Sequence, residues 1–369
     1  MTKAAELAKM GEVLTNSQIG GRRNIVINGG MQVAQRSTSE TGKGDADGYF
    51  TLDRYKINVG ATSAGRFTMS QSTDTPNGFG NSLKIDCTTA DTSIAAGERL
   101  TIDHRIEGQN LQQVKKGTSD AEKMTISFYA KVVGSATDFV VDLMDNDNTR
   151  QVSNLFTFTT SWVRYYWTIP ADTTGAFDND NANSLNIQFW LHGGSTYTSG
   201  TLNTSWASST DANRAVGIDS IFSSTDNEIY LTGIQLEVGE QATPFEHRSF
   251  GEELELCKRY YQSVGDRSNN HTLPLFDTAA QDATDSTSTF HFFPPMRATP
   301  TLETTGTAAD YKIYTNNTNI ALASVPSFGS GSTQCGFLSA AVSSGLTAGE
   351  VCHVTGNTDP AFVAFTAEL

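Results

Sequence analysis

Apolar and polar residues alternate over short stretches through most of this chain. In Lys123–Val133, Met124, Ile126, Phe128 and Ala130 alternate with Thr125, Ser127, Tyr129 and Lys131, the period-two pattern of a half-buried strand. Comparable stretches are Tyr49–Ile57, Arg66–Gln71, Ser82–Thr88, Arg99–Ile106, Asp138–Met144, Ser153–Thr160, Trp162–Ile169, Leu185–His192 and Glu228–Val238. Many strands of similar length with turn residues between them predict an all-β jelly-roll sandwich. Arg36–Gly48 is polar and glycine-rich and reads as a loop. In Glu228–Val238 the phase changes. Ile229 and Leu231 are the apolar set before Gly233, and Ile234, Leu236 and Val238 are the set after it. A one-residue slip turns side chains to the other face, so a β-bulge is expected at Gly233.

The strand pattern stops at Gly239. Thr243-Pro244 holds the chain extended. Ser249, with Glu252 three residues on, forms a capping-box pattern, which predicts a short linking helix carrying Leu254, Cys257 and Tyr261 on one face. Strand patterns then restart at Ser288–Phe293, Pro300–Glu303, Tyr311–Tyr314, Thr318–Ala323, Gly336–Val342, Val351–Thr355 and Ala361–Ala367. Pro294, Pro295 and Pro300 mark an edge strand, because proline donates nothing to an interior ladder. The expected organisation is an N-terminal segment over 1–23, a jelly roll over 24–245, a linking helix region over 246–265 and a smaller β-sandwich over 266–369. In the N-terminal segment Ala4, Leu7 and Leu14 fit a short helical seam interrupted by Gly11. Two heptads make a marginal helix alone. The seam is expected to be buried in a trimer or docked on a larger particle, with a frayed end as the alternative.

Charge and composition narrow the partners. The 369 residues carry a net charge of −15. An acidic chain does not track a phosphate backbone, so nucleic acid is not an expected partner, and anionic membrane surfaces are disfavoured likewise. No apolar run approaches the roughly 20 residues that span a bilayer, and the N-terminus has no apolar signal region. The four cysteines, Cys87, Cys257, Cys335 and Cys352, form no CxxC pair and read as buried free thiols.

No GxSxG, P-loop, GxGxxG or HExxH motif occurs, and the six histidines pair with no evident nucleophile. Nothing singles out a carboxylate pair at glycosidase separation. The expectation is therefore no enzymatic activity and no cofactor. Asp145, Asp147, Asp178 and Asp180 lie in two Asp/Asn turns whose hard oxygens suit a structural calcium ion, with solvated turns as the alternative. Sugar binding needs flat apolar faces beside amides or carboxylates in an open groove. In Leu185–His192, Leu185, Ile187, Phe189 and Leu191 face one way and Asn186, Gln188, Trp190 and His192 the other. This tryptophan among amides is the best glycan signal in the chain. Tyr197 and Trp206, in the Ser/Thr/Gly-rich loop that follows, are placed to close the same site. The competing reading packs Trp190 under that loop or against a neighbouring subunit.

Four stretches carry a resemblance. RRNIVINGGMQVAQRST (22–38), GIQLEVGEQATPFEHRSFGEELELCKRYY (233–261), PPMRATPTL (294–302) and AFVAFTAEL (361–369) resemble, in that order, segments of bacteriophage and prophage fibre proteins. In those proteins a carbohydrate-binding-module-like jelly roll is joined to a C-terminal β domain. The resemblance implies a structural virion protein, homotrimeric, assembled in the host cytoplasm, anchored to other virion proteins through its N-terminus and adhering to host surface polysaccharide. A capsid-bound head fibre or decoration protein is the alternative, and a glycan-degrading fibre enzyme the second. The resemblance also raises the prospect of a structural calcium.

Overall fold

The computed structural model describes residues 3, 23–61, 63–265, 274–359 and 361–369. Ala4, Leu7 and Leu14 of the expected anchor lie outside the described residues. The chain forms two compact units, Met1–Gln32 with Ser39–Ser249, and Val33–Thr38 with Phe250–Leu369. Among the described residues no helix is long and apolar enough to cross a membrane.

The first unit is built from β1 (Ser39–Lys43), β2 (Tyr55–Gly60), β3 (Arg66–Ser72), β4 (Ser82–Thr89), β5 (Arg99–Glu107), β6 (Met124–Val133), β7 (Asp138–Asp145), β8 (Arg150–Thr157), β9 (Val163–Ile169), β10 (Asn183–Gly193), β11 (Ala207–Ser208) and β12 (Glu228–Val238). They form two six-stranded sheets, ordered β1-β3-β4-β12-β6-β9 and β11-β8-β7-β10-β5-β2. The chain passes repeatedly from one sheet to the other, which is jelly-roll topology. Alternation places Met124, Ile126, Phe128 and Ala130 of β6 and Leu185, Ile187, Phe189 and Leu191 of β10 in the core, all buried. Phe128 meets Phe189 edge-on at 5.2 Å and Phe156 at 5.3 Å. Each such fully buried side chain contributes about 1.5–3 kcal/mol by area.

The bulge forms where the phase change predicts it. The β12–β6 register shifts between Thr232 and Gln235. Gly233 has φ +62, and a Cβ there would stand 2.7 Å from the Phe79 ring. The expected loop over 36–48 contains an edge strand instead, because β1 pairs with β3. Its side chains are half-buried or exposed on both faces, so it carries no alternation to read.

The second unit contains the helix α2 (Phe250–Lys258), numbered after a single-turn α1 (Ser195–Thr198) in the first unit. Its strands are β13 (Tyr261–Val264), β14 (Pro274–Ala280), β15 (Asp285–His291), β16 (Thr301–Thr304), β17 (Tyr311–Thr315), β18 (Thr318–Ala321), β19 (Ser327–Gly329), β20 (Cys335–Ala341), β21 (Val351–Gly356) and β22 (Val363–Thr366). A three-stranded sheet β13-β22-β16 and a seven-stranded sheet β18-β17-β21-β14-β15-β20-β19 enclose a core that includes Phe292, Tyr311, Ile313, Leu338, Val354 and Phe365. The helix stops before Tyr261, which pairs as a strand with Thr366 of β22. β16, directly after Pro300, is an edge strand, as its proline requires.

Two buried histidines tie the stability of the first unit to pH. His104 faces the core, and its Nε2 accepts the Ile27 N–H at 3.4 Å. Burial, then the charges of Arg54 and Arg248, push its pKa well below the ordinary value. Burial also lowers His192, against the opposing pull of Glu98. Both take up their proton at lower pH in the folded state than in the unfolded chain, whose histidines titrate near pH 6.5. Stability is therefore complete above that pH and falls on acidification, by up to about 1.4 kcal/mol per pH unit for each histidine. Urea titration is expected to give a lower midpoint at pH 5.5 than at pH 7.5, and equal midpoints would refute the assignment.

Candidate functional site

β10 lies between β5 and β7, and its outer face continues across both strands. The rows are Arg105–Asn186–Met144, Asp103–Gln188–Asp142 and Thr101–Trp190–Val140. In the middle row Gln188 Nε2 donates to both oxygens of Asp103 at 3.0 Å. Arg214, from the loop that follows β10, donates through Nε and Nη2 to Asp142 Oδ2 at 3.0 and 2.7 Å. Arg214 also donates to the Gln188 carbonyl. Ser153 donates to Asp142 at 2.9 Å and Thr101 to Asp103 at 2.6 Å. Each carboxylate is satisfied, as burial demands.

The sequence expectation of an open glycan groove on this face is corrected by the loop. Trp190 is fully buried against Val140, Tyr197 and Ala215, with Leu202 and Ile218 around them. Tyr197, on α1, meets the Trp190 ring at 5.1 Å, and the Arg214 guanidinium lies 5.1 Å from its centroid. Asn186 and Gln188 are buried. His192 is buried too, with Nε2 3.1 Å from Glu98 and Nδ1 2.7 Å from Ser220 Oγ. Trp206, half-buried, does not join them, and its indole N–H donates to Pro170 O at 2.9 Å. Alternation identifies the non-core face correctly. Whether the loop that follows β10 roofs that face, as the competing reading holds, is a tertiary matter.

The four aspartates proposed for calcium do not converge. Lys116 Nζ lies 2.6 Å from Asp145 Oδ2 and 3.0 Å from Asp172 Oδ2, and donates to the Thr174 and Gly175 carbonyls at 2.9 and 2.8 Å. An ammonium thus fills the oxygen cage at Asp145. Asp147 accepts from the Asp178 N–H, and Asp180 from the Ala182 N–H, both at 2.9 Å. These contacts pin the two turns. Among the described residues no cluster of three His, Cys, Asp or Glu is placed to hold a metal. All four cysteines are free, and Cys87, Cys257 and Cys352 are buried.

An open groove lies elsewhere, on the seven-stranded sheet of the second unit. Its outward face presents one cross-strand row of Asp277, His353, Tyr314 and Asn319, from β14, β21, β17 and β18. Beside it runs a second row of Pro274, Thr355, Lys312 and Ala321. Tyr311 and Ile313 point inward, so Lys312 and Tyr314 point out. The groove has a volume of about 400 Å³ and is lined by Pro274, Lys312, Tyr314, Asn319, His353 and Thr355. That volume suits a small ligand. Four strands at their usual spacing make it about 14 Å across, the span of a short oligosaccharide. The Tyr314 ring is 38% exposed and stacks on His353 at 6.5 Å and 24°. His353 Nδ1 lies 2.7 Å from Asp277 Oδ1, which fixes the imidazole. The Tyr314 hydroxyl donates to Asn317 at 2.7 Å, which fixes the phenol. Sequence reasoning missed this site. The outward Lys312–Tyr314 alternation was readable, but the pairing that aligns it with His353 and Pro274 was not.

No family model matches the sequence, and no curated protein matches it. Three solved structures show what the chain is similar to. The enzymatically active domain of tailspike protein 4 of bacteriophage CBA120 aligns with TM-score 0.30 and 12% identity, over 58% of this chain and 21% of that one. The family 11 carbohydrate-binding module of a Clostridium thermocellum cellulosomal cellulase aligns with TM-score 0.27 and 14% identity, over 58% and 99%. A xylan-binding domain from Paenibacillus barcinonensis aligns with TM-score 0.26 and 11% identity, over 57% and 100%. The chain thus spans about a fifth of the tailspike chain and nearly all of the two modules.

Proposed function

We propose that this protein is a structural, non-enzymatic adhesin of a phage fibre. In this reading it forms a homotrimer in the virion, attaches to other virion proteins through its N-terminus and binds host surface polysaccharide in the groove of the second unit. The carrying observation is the open face of Tyr314 beside polar groups in a groove of ligand size. A sugar presents C–H groups to an aromatic ring and hydroxyls to its edge, and Asn319, Lys312 and Thr355 surround the ring. The four fibre-like sequence stretches support the same reading. A groove this open gives weak single-site binding, and three copies raise effective affinity without new contacts.

The test is attachment. Purified protein is expected to bind host cells and to be displaced by polysaccharide extracted from them. Tyr314→Ala removes the ring from an outward face and is expected to weaken binding about five- to a hundredfold with unchanged thermal stability, on the scale of about 1–3 kcal/mol for a base stacked on an aromatic side chain. Binding unaffected by Tyr314→Ala excludes the groove. A monomer by light scattering at micromolar concentration refutes the trimer.

A further inference from the structure

The groove has a charge asymmetry that narrows its ligand. Lys312 projects into it from the middle of a four-strand row. Among the described residues no carboxylate pairs with Lys312. Elsewhere in the sheets of this chain lysines are matched to acids: Lys56 with Asp47, Lys84 with Glu228, Lys131 with Asp74. In a protein of net charge −15, a lysine without an acid inside a concave site stands out.

We propose that the groove selects an anionic saccharide, one whose sugar carboxylate sits over Lys312 while its ring lies on Tyr314. This rests on the reading of the groove as a glycan site. The two rows divide the work. Pro274 and Tyr314 offer apolar surface, Asn319 offers an amide to sugar hydroxyls, and Lys312 offers an ammonium to a carboxylate. The Asp277 end of the other row repels an anion, so the acid group is directed to the Lys312 row. Net negative charge opposes approach of an acidic polymer over long range. That opposition is screened beyond about 8 Å at physiological ionic strength, so the contact at Lys312 decides selectivity.

The experiment uses the full chain on a panel of uronic-acid oligosaccharides and their carboxyl-reduced neutral counterparts, with sulfated oligosaccharides as a third arm. The expected result is binding to acidic members at least tenfold tighter than to their reduced counterparts, a preference lost in Lys312→Gln and largely kept in Lys312→Arg. A charge-assisted hydrogen bond is worth about that factor. Tyr314→Ala weakens both classes equally. Equal binding of acidic and reduced members, unchanged by Lys312→Gln, overturns the charge selection and leaves the glycan reading standing. Stronger binding of the sulfated arm overturns the carboxylate as the recognised anion. Binding to no member overturns both. Lys312 lies on an outward face, so circular dichroism of Lys312→Gln is expected to match the parent protein.

Discussion

Lys116→Ala is expected to destabilise the first unit by about 3–5 kcal/mol. The Lys116 ammonium neutralises Asp145 and Asp172 at 2.6 and 3.0 Å and satisfies two carbonyl groups besides. Lys116 and both aspartates are buried. Removing the ammonium leaves two carboxylates close together with Arg150, 2.7 Å from Asp172, as the nearest cation. A buried charge left without its partner costs far more than the intact pair contributes, because desolvation is no longer offset. The pH dependence carries a sign. Burial raises the Asp172 carboxyl, and the hydrogen bonds from Arg150 and Lys116 outweigh it, so the net shift is downward. That depressed value supplies stability above the ordinary carboxylate range and loses it as pH falls through the folded value. In Lys116→Ala the acid loss is expected to shrink, because part of the depression is gone. Urea unfolding at pH 7 and pH 4 measures both effects. A variant as stable as the parent at pH 7 would show that the cage is not an internal ion cluster.

Trp190→Ala is expected to lower the stability of the first unit by about 3–5 kcal/mol, or about 10 °C in Tm for a unit of this size. Glycan binding by the molecules that remain folded is expected to stay unchanged. The indole is fully buried between Val140, Tyr197 and Ala215, so its loss opens a cavity and takes the stacking surface from Arg214. Trp190→Phe keeps most of the volume and is expected to cost less than half as much. All four tryptophans lie in the first unit, so intrinsic fluorescence follows its unfolding selectively. The competing outcome is sharp. If Trp190 touched sugar, truncation would abolish binding with little change in stability.

The two experiments separate roles that the sequence left merged. A tryptophan flanked by amides on the polar side of a strand is compatible with a sugar platform and with a second, smaller core beneath a loop. Strand alternation reports only that one face is core. The other face of β10 holds Asn186, Gln188 and Trp190 as expected, but Tyr197 and Arg214, from the loop that follows the strand, roof it. The Asp/Asn turns pose a similar ambiguity, since Asp145 suits a calcium ion and an ammonium equally. Lys116 took the place, about thirty residues away, where no short-range pattern reaches.

The sequence by itself determined the all-β class, most strands of the jelly roll, the Gly233 bulge and the edge position after Pro300. Each is written locally, in period-two alternation, in a glycine that accepts positive φ, or in a ring that donates no hydrogen bond. It did not determine β1, whose side chains show no buried face, or the strand at Tyr261, whose helix-like spacing was overruled by pairing with β22. The tertiary structure alone decided which faces are open. Loop 194–220 closed the face that composition favoured, and the pairing of β14, β21, β17 and β18 assembled Pro274, His353, Tyr314 and Lys312 into a groove from four separated strands. Register and loop placement are set by long-range packing, and a side chain's neighbours across a sheet leave no trace in its own flanking sequence.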